Sequence, residues 1–528
     1  MRMTIPLFSA CVAASLGSAA LLFPSAAPAA VPIEVVVTTG DPLPDSNPFD
    51  GGLWGAINDA GQISFWSPGH NSIASQFRWD PSPSEFVRIV APGLTVPGGS
   101  GVFSWFSTSS TLNDAGQTVF RGSLAGSPPD GTRLYRSDGA TLVEIVRRSD
   151  PAPGGNGTID SFSPLNGILN NAGEVAFLGY LTGTSGGGAD DEALYRGDGA
   201  TLIQVVREGE PAAGDDGSFQ TFSPPSLNTP GQLGFRGYLT GASGGNNEGF
   251  FRADGTPGGV VEIARKGDPV PGGGAVLGTF NTYTPSLNDS GQIAFIAGLY
   301  SSVAGFIGEG VFVGDGGPLA EIARSGNPAP GGGTLGSLTS ALVNGAGQVA
   351  FGAKLSGVGG SLPAGIYRRD AGGGALVPIV RTGQQAPDGN GTFDLLEGFA
   401  LNDAGQVVFR AYLAGGSGPQ GDHGIFLHDD AAGLVQLLRM GDPLLGSSVL
   451  ELGLVTQVDQ DRRSLNDRGQ VSFGFVLDDF RNGIAIAVPE PRAGLPIAAL
   501  VGLYGVARFR RGRTCAGRGD GFAITRLA

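Results

Sequence analysis

From Gly405 onward the chain alternates, with Val407, Phe409, Ala411 and Leu413 on one side and Val408, Arg410 and Tyr412 on the other. Apolar residues at every second position, closed off by a Gly-rich stretch, predict a strand with one buried face. The same large-large-small-large face returns as Ile293/Phe295/Ala297/Leu299, Val349/Phe351/Ala353/Leu355 and Leu233/Phe235/Gly237/Leu239. Every such strand follows an Asn-x-x-Gly turn and carries a Phe four residues after the Gly. The copies are Asn58/Gly61/Phe65, Asn113/Gly116/Phe120, Asn170/Gly173/Phe177, Asn228/Gly231/Phe235, Asn288/Gly291/Phe295, Asn344/Gly347/Phe351, Asn402/Gly405/Phe409 and Asn466/Gly469/Phe473. Successive Asn residues are 55, 57, 58, 60, 56, 58 and 64 positions apart, so one unit is written eight times. Asn caps its own turn through its side chain, and the Gly three residues on supplies a positive φ without steric cost. The three repeated residues are read as turn and core, with the same role in every copy.

Further elements follow each turn. A second strand (Leu134-Tyr135-Arg136, Leu194-Tyr195-Arg196, Phe250-Phe251-Arg252, Ile366-Tyr367-Arg368) often ends in an Asp-Gly pair such as Asp138-Gly139, a strong hairpin signal. A third strand (Leu142–Arg147, Leu202–Arg207, Val261–Arg265, Leu376–Arg381) runs into a loop of the type Gly267-Asp268-Pro269-Val270-Pro271-Gly272. Short stretches such as Thr221-Phe222 and Thr279-Phe280 are candidates for a fourth strand before the next Asn. No window between Val31 and Val488 shows a 3.6-residue period.

Three to four antiparallel strands per unit of about 57 residues predict an all-β chain of eight propeller blades. The ends agree with this. The last copy has strands at Gln470–Leu477 and Gly483–Val488 and no third strand, while Ile33–Val37 followed by Gly40-Asp41-Pro42 is a third strand lacking the two before it. The two fragments make one unit, which predicts a ring closed by the N-terminal strand. The alternative is an open β-solenoid, which requires capping repeats.

Composition refines the picture. Of 528 residues, 93 are Gly and 36 Pro; such a share without a period would suggest disorder, but here the glycines recur with the unit. The formal charge is −15, and residues 31–488, with 24 basic and 45 acidic residues, carry −21. That excess argues against nucleic acid as a partner, because phosphate contacts need clustered Lys and Arg, and is read as solubility. Cys11 and Cys515 lie outside residues 31–488, so that segment has no thiol chemistry.

Both ends read as addresses. Arg2, an apolar run from Ile5 to Phe23 and the small residues Pro24–Ala30 form a secretory signal peptide over residues 1–30, with cleavage expected after Ala29 or Ala30. At the other end stand Pro489-Glu490-Pro491, an apolar run over Ala493–Ala507, and Arg508, Arg510, Arg511 and Arg513. Fifteen residues make roughly 22 Å of helix, and the trailing arginines place that end in the cytoplasm with the long preceding domain outside. Residues 489–513 resemble the PEP-CTERM sorting signal of Gram-negative bacteria. That resemblance implies a substrate of an exosortase-like membrane enzyme, a transient or permanent C-terminal membrane anchor, and an exopolysaccharide-producing envelope. Thr514–Ala528 continues past the arginines, where such proteins stop within a few residues. The repeats themselves resemble the bacterial tandem-repeat proteins named for an N-x-x-G-x-x-x-F element with a choice of anchor. This implies architecture and surface sorting, with no activity attached.

Candidate chemistry lies where copies differ. Trp54, Trp66, Trp79 and Trp105 fall in the first part of the mature chain and are candidates for a sugar-stacking platform. Trp66-Ser-Pro-Gly-His70, Asp422-His423, His428-Asp429-Asp430 and Asp459-Gln460-Asp461-Arg462-Arg463 also depart from the repeat; a His beside two Asp offers a metal or acid/base cluster, but it stands in the slot of a common Asp-Gly turn, and an exposed polar loop is the simpler reading. The Asp-Gly turns offer carboxylates and carbonyls of the kind Ca²⁺ takes; without a D-x-D-x-D-G string, turn chemistry is the simpler reading, and no cofactor is expected. No nucleophile-elbow, zincin, P-loop or dinucleotide motif occurs. The reading is an exported, non-catalytic surface or matrix protein whose ring meets exopolysaccharide or another surface protein. The alternatives are a glycan-acting propeller enzyme, with carboxylates from unlike positions in different blades at one channel mouth, or a Ca²⁺-dependent adhesive module.

Overall fold

The computed structural model describes residues 31–489 apart from residues 46, 53–54, 69–73, 97–100, 108–110, 127–130, 257, 283, 361, 419–420 and 457–462. These residues form eight antiparallel sheets, each beginning just before a repeat Asn. The first is Gly55–Ile57, Ile63–Ser67, Ser75–Pro81 and Ser84–Val90; the third is Thr158–Leu169, Val175–Thr182, Glu192–Gly197 and Leu202–Arg207. Each sheet is one blade, numbered here by its Asn in chain order. The regular helical content of the described residues is three short 3₁₀ turns. No helix among them is long and apolar enough to cross a membrane.

Sequence reading leaves the short stretch before each Asn at the end of a unit. The structure makes it the first, innermost strand of the blade that follows. Ser218–Phe222 pairs with Leu233–Thr240 across the Asn228 turn, and Val276–Phe280 with Ile293–Ser301 across the Asn288 turn. The reason is local, because the four-residue Asn-to-Gly turn folds the chain directly back on itself. The blade therefore has two ends. The Asn turns and the Asp-Gly turns lie on one face, called the turn face. The longer second-to-third-strand loops and the Gly-Asp-Pro loops between blades lie on the other, the loop face.

Ring closure follows the expected scheme. The last blade consists of Ser447–Gly453 with the short Pro443–Leu444 beside it, Val471–Leu477, Asn482–Ala487 and, as its outermost strand, the N-terminal Ile33–Thr38. Ile33 lies opposite Ala487 and Thr38 opposite Gly483. The propeller is closed and the solenoid alternative falls.

The core is a set of eight apolar clusters among the described residues, each drawn from two consecutive blades. At its centre the repeat Phe, buried in every copy, stacks on an aromatic residue directly opposite on the third strand. The pairs are Phe65–Phe77, Phe120–Tyr135, Phe177–Tyr195, Phe235–Phe251, Phe295–Phe312, Phe351–Tyr367 and Phe409–Phe426, with centroids 5.3–5.8 Å apart. The eighth copy lacks the pair, because Ala485 lies opposite Phe473. Offset stacking adds about 0.5–1.5 kcal/mol per pair to simple burial. The small residue two positions after Phe gives this column room: a Cβ on Gly179 would stand 2.7 Å from the Tyr195 ring, and on Gly237 2.8 Å from Phe219.

The N-terminal strand serves two interfaces. Ile33 and Val35 pack into the cluster shared by blades 7 and 8, while Val36 and Val37 pack with Ile57, Phe65, Ile484 and Ile486 between blades 8 and 1. Burying the two valines alone contributes about 3–6 kcal/mol. A chain started at Gly40 is therefore expected to unfold at lower denaturant than one started at Val31 and to self-associate through the exposed edge of Asn482–Ala487. Urea titration and light scattering on the two proteins read both effects.

Candidate functional site

The repeat polar residues converge on the axis at the turn face. In each copy the Asn side chain does more than cap its turn. Asn58 Oδ1 accepts the N–H of Gln62 (2.9 Å), and Asn58 Nδ2 donates to Gln62 Oε1 (2.7 Å) and to the carbonyl of Asn113 in the next blade (2.9 Å). The same inter-blade bond runs from Asn113 to Asn170, Asn170 to Asn228, Asn228 to Asn288, Asn288 to Asn344, Asn344 to Asn402 and Asn402 to Asn466. Asn466 returns to the carbonyl of Asn58 at 2.9 Å. Eight buried amides form an unbroken cycle, each with both of its hydrogens used. The Gln or Glu after the Gly supplies the second acceptor, including Glu174 in the third copy.

The glycines have two roles. All eight hold φ between 73° and 86°, as the turn requires. They are also where the preceding blade comes closest. A Cβ on Gly116 would stand 2.8 Å from Arg78 Nη1 and 2.9 Å from Gln62 Oε1, and one on Gly173 2.8 Å from Arg136 and 3.0 Å from Gln117. The arginine that closes the Leu-Tyr-Arg strands is thus an inter-blade clamp. Arg78 Nη1 donates to the Gly116 carbonyl at 2.6 Å, and Arg196, Arg252 and Arg368 donate to the carbonyls of Gly231, Gly291 and Gly405.

Gly61, Gly347 and Gly469 keep the turn role expected of every copy but meet a different neighbour. Their φ values of 81°, 75° and 79° keep the turn unchanged, but no arginine is among their nearest neighbours across the interface. The clamp position lies one residue after the residue facing the repeat Phe. In the preceding blades it is held by Ile486, Val313 and Leu427, opposite Ser472, Ala294 and Val408. These apolar side chains have no donor to offer a glycine carbonyl, so the glutamine amide alone fills the approach. A Cβ would stand 3.3 Å from Gln470 Oε1 on Gly61, 3.1 Å from Gln292 Oε1 on Gly347 and 2.8 Å from Gln406 Oε1 on Gly469. The eight copies are equivalent in the turn and unequal in the clamp.

A second ring lies just outside the amides. The residue after each Asn offers its side-chain oxygen to the backbone N–H of the corresponding residue in the preceding blade. Asp59 N–H donates to Asp114, Asp114 to Asn171, Thr229 to Asp289, Gly345 to Asp403, Asp403 to Asp467 and Asp467 to Asp59, at 2.6–3.0 Å. The ring is broken where Thr229 and Gly345 stand as acceptors. These groups and Arg463 line a cavity of about 180 Å³ on the axis. Burial first, then the facing Asp59 and Asp403 carboxylates, push Asp467 up to about 6 against the pull of the Asp403 N–H and Arg463.

The copy-specific candidates do not assemble. Trp79 is buried, with its indole N–H on Ser84 Oγ (3.3 Å). Trp66 lies on the second strand of blade 1, and Trp105 is 45% exposed on the inner strand of blade 2. The described tryptophans form no shared platform, and Trp54 and His70 lie outside the described residues. Asp422 is buried in an ion pair with Arg439. His423 donates Nδ1–H to the Gly421 carbonyl (2.9 Å) and accepts the Leu452 N–H at Nε2 (3.1 Å); burial lowers its pKa. Asp429 holds the turn by accepting the N–H groups of Ala431 and Ala432, and Asp430 pairs with Arg368. His428 is half-buried, with its pKa lowered chiefly by burial. Residues 457–462 lie outside the described residues, as do Glu490, Pro491, Arg508, Arg510, Arg511 and Arg513; Pro489 is the last residue described.

The Asp-Gly turns use their carboxylates internally. Asp198 Oδ1 accepts from Ala200 and Thr201, and these bonds, Thr201 first, lower its pKa. Among the described residues no group of three or more His, Cys, Asp or Glu is placed to hold a metal ion. Other carboxylates are raised chiefly by burial, among them Glu210, Glu262, Asp268 and Asp442. Burial pushes Glu208 up to about 7, with Asp191 and Glu192 adding to it. All three come from the outer part of blade 3.

Two outcomes are expected. Asn288→Asp removes both donors of one cycle member and turns it toward two acceptors. It is expected to destabilise the fold by about 2–4 kcal/mol in urea titration, as much as Asn288→Ala or more. The raised Asp467 retains, between about pH 4 and 6, a proton that the unfolded chain has already lost. The folded state binds more protons there, so this group's contribution to stability falls as pH rises through that window and stays low above it. Asp467→Asn keeps the acceptor, as Asn171 does in the third copy. It is expected to raise the melting temperature at pH 7.5 and leave it unchanged at pH 4, by no more than about 1 kcal/mol since the mouth is wet and screened.

No curated relative matches the chain. Among solved structures it is similar to the β-propeller domain of the Trilobed protease from Pyrococcus furiosus (11% identity, TM-score 0.38, covering 75% of this chain and 100% of that one). It is also similar to the C-terminal WD40 domain of Sif2 (9%, 0.36, 87% and 99%) and to an ulvan lyase, a polysaccharide lyase (11%, 0.33, 86% and 96%). These likenesses are too distant to transfer a site. A family model covers residues 57–495, from the first repeat through the last, and the chain belongs to that family, DUF7453, a family of unknown function.

Proposed function

We propose that this is an exported, non-catalytic ring, held at the cell surface or in the extracellular matrix through its C-terminal segment, that presents its loop face to exopolysaccharide or to another surface protein. An exosortase-like enzyme is the processing partner. The observation that carries the reading is topological. The ring begins and ends on the turn face, where Ile33 lies beside Ala487 and the Val488 N–H donates to the Pro32 carbonyl (2.9 Å). A chain tethered after Pro489 therefore leaves the loop face free. That face carries exposed large apolar residues in three blades, among them Val303 and Phe306, Leu362 and Phe480, which a bound partner would cover.

The non-catalytic part rests on how the polar groups are used. The repeat Asn, Gly and Gln residues bond within or between turns, and the carboxylates raised by burial, Glu208, Glu210, Glu262, Asp268, Asp442 and Asp467, are spread over blades 3, 4, 7 and 8. In an exopolysaccharide-producing Gram-negative host, the full chain is expected in the envelope fraction, with loop-face residues open to added protease. A chain ending at Pro489 is expected in the medium or periplasm. Equal partition of the two would overturn anchoring through the C-terminal segment.

A further inference from the structure

In three blades the residue after the repeat Phe is arginine: Arg121, Arg236 and Arg410. Each guanidinium lies over an aromatic ring toward the loop face, Arg121 over Trp105 at 5.1 Å, Arg236 over Tyr238 at 5.0 Å and Arg410 over Tyr412 at 5.3 Å. In blades 4 and 7 the charge is also paired within the blade. Arg236 meets Glu248, which stands opposite Tyr238 on the third strand. Arg410 meets Glu397 of the inner strand at 3.2 Å.

Blade 2 has lost both carboxylates. Thr132 stands opposite Ser123, the place that Glu248 holds opposite Tyr238. Ser107 bonds the Arg121 backbone (2.7 Å) in the slot that Glu397 fills in blade 7. Arg121 consequently makes no ion pair among the described residues, where Arg236 and Arg410 each make one; its Nε is buried without a hydrogen-bond partner there, as theirs are, and burial lowers its pKa. Its stacking partner Trp105 comes from the inner strand, opposite Ser123, and keeps 45% of its surface in water.

A forked cation that no carboxylate of the described residues pairs, next to an open indole, is half of a recognition pair. The fork fits a carboxylate through two parallel hydrogen bonds, and the flat ring fits the apolar C–H face of a pyranose. We propose that Trp105 and Arg121 form a binding site for a uronic acid residue of a polysaccharide, the sugar ring on the indole and its carboxylate on the guanidinium. The surface charge narrows the class further. Residues 31–488 carry −21 and repel a polyanion, whereas attraction to Arg121 is confined to a Debye length of about 8 Å at physiological salt. The occupant is therefore an isolated uronate in a mainly neutral glycan. The biological use of the site rests on the loop face being the one presented; the binding itself does not.

Calorimetry on the purified ring, with a neutral oligosaccharide bearing one glucuronate and with its methyl ester, tests this separately from fractionation. The acid is expected to bind at least about tenfold more tightly than the ester, and Arg121→Gln and Trp105→Ala each to weaken it at least about tenfold. Thr132→Glu supplies the carboxylate that blade 4 carries. It is expected to abolish binding while the melting temperature is held or raised, which separates loss of the site from loss of the fold. No heat at about 10 mM glycan, equal binding of acid and ester, or full binding by the Thr132→Glu protein would each overturn the proposal.

Discussion

A ring of eight sheets has to close, and every blade must find its neighbour at the same angle. The cycle of asparagine amides meets that constraint where the blades come nearest. Each Nδ2 uses one hydrogen inside its own turn and the other on the next turn, and the last bond spans the seam between Asn466 and Asn58. Because each amide is buried, a missing member leaves unpaired polar groups in a dry place, the expensive side of the hydrogen-bond balance. The turn sequence is therefore under two demands at once, a local conformation and an inter-blade contact, and few residues other than Asn, Gly and Gln satisfy both.

The packing outside this hub obeys the same logic. Each apolar cluster belongs to two blades, so no blade has a complete core of its own. The stacked aromatic pairs fill the middle of seven of the eight sheets, and where an arginine follows the pair it reaches forward to the next glycine. The interfaces at Gly61, Gly347 and Gly469 do without that clamp and keep the amide bond, which marks the amide cycle as the common element. The N-terminal strand is part of this scheme, since its alternating residues enter the clusters on both sides of blade 8. Crowding five carboxylates at the turn-face mouth opposes closure, and Asp467 registers that opposition. Backbone N–H groups from the preceding blade and Arg463 offset it in part.

Departures from the repeat acquire meaning only against this frame. The Arg121 position is informative because two other blades show what normally accompanies such an arginine. Asp422, by contrast, looks chemically suggestive beside His423 and proves to be fully engaged by Arg439. On the turn face the amide cycle is the same in every blade, whereas the loop face varies from blade to blade, as the hairpin tip at Val303 and the turn at Phe480 show.

Much of the architecture was readable in the linear chain, because its signals are short-range. Alternation across Val407–Leu413, the turn at Asn402–Gly405 and the recurrence of both depend on residues within a few positions of each other. The two partial units at the ends then predicted a closed ring over the open β-solenoid. What lies across a blade interface was not readable. The second bond of each Asn, the approach of Arg78 and Gln62 to Gly116, and the assignment of the stretch before each Asn to the following sheet all depend on which elements the ring brings side by side. The surroundings of Arg121 belong to the same class. Its missing partners are absences at Ser107 and Thr132, 14 residues before it and 11 after it in the chain, and only strand register aligns them with Glu397 and Glu248. Local backbone preference writes the blade into the sequence, whereas the electrostatic surroundings of a side chain are set by neighbours that closure alone selects.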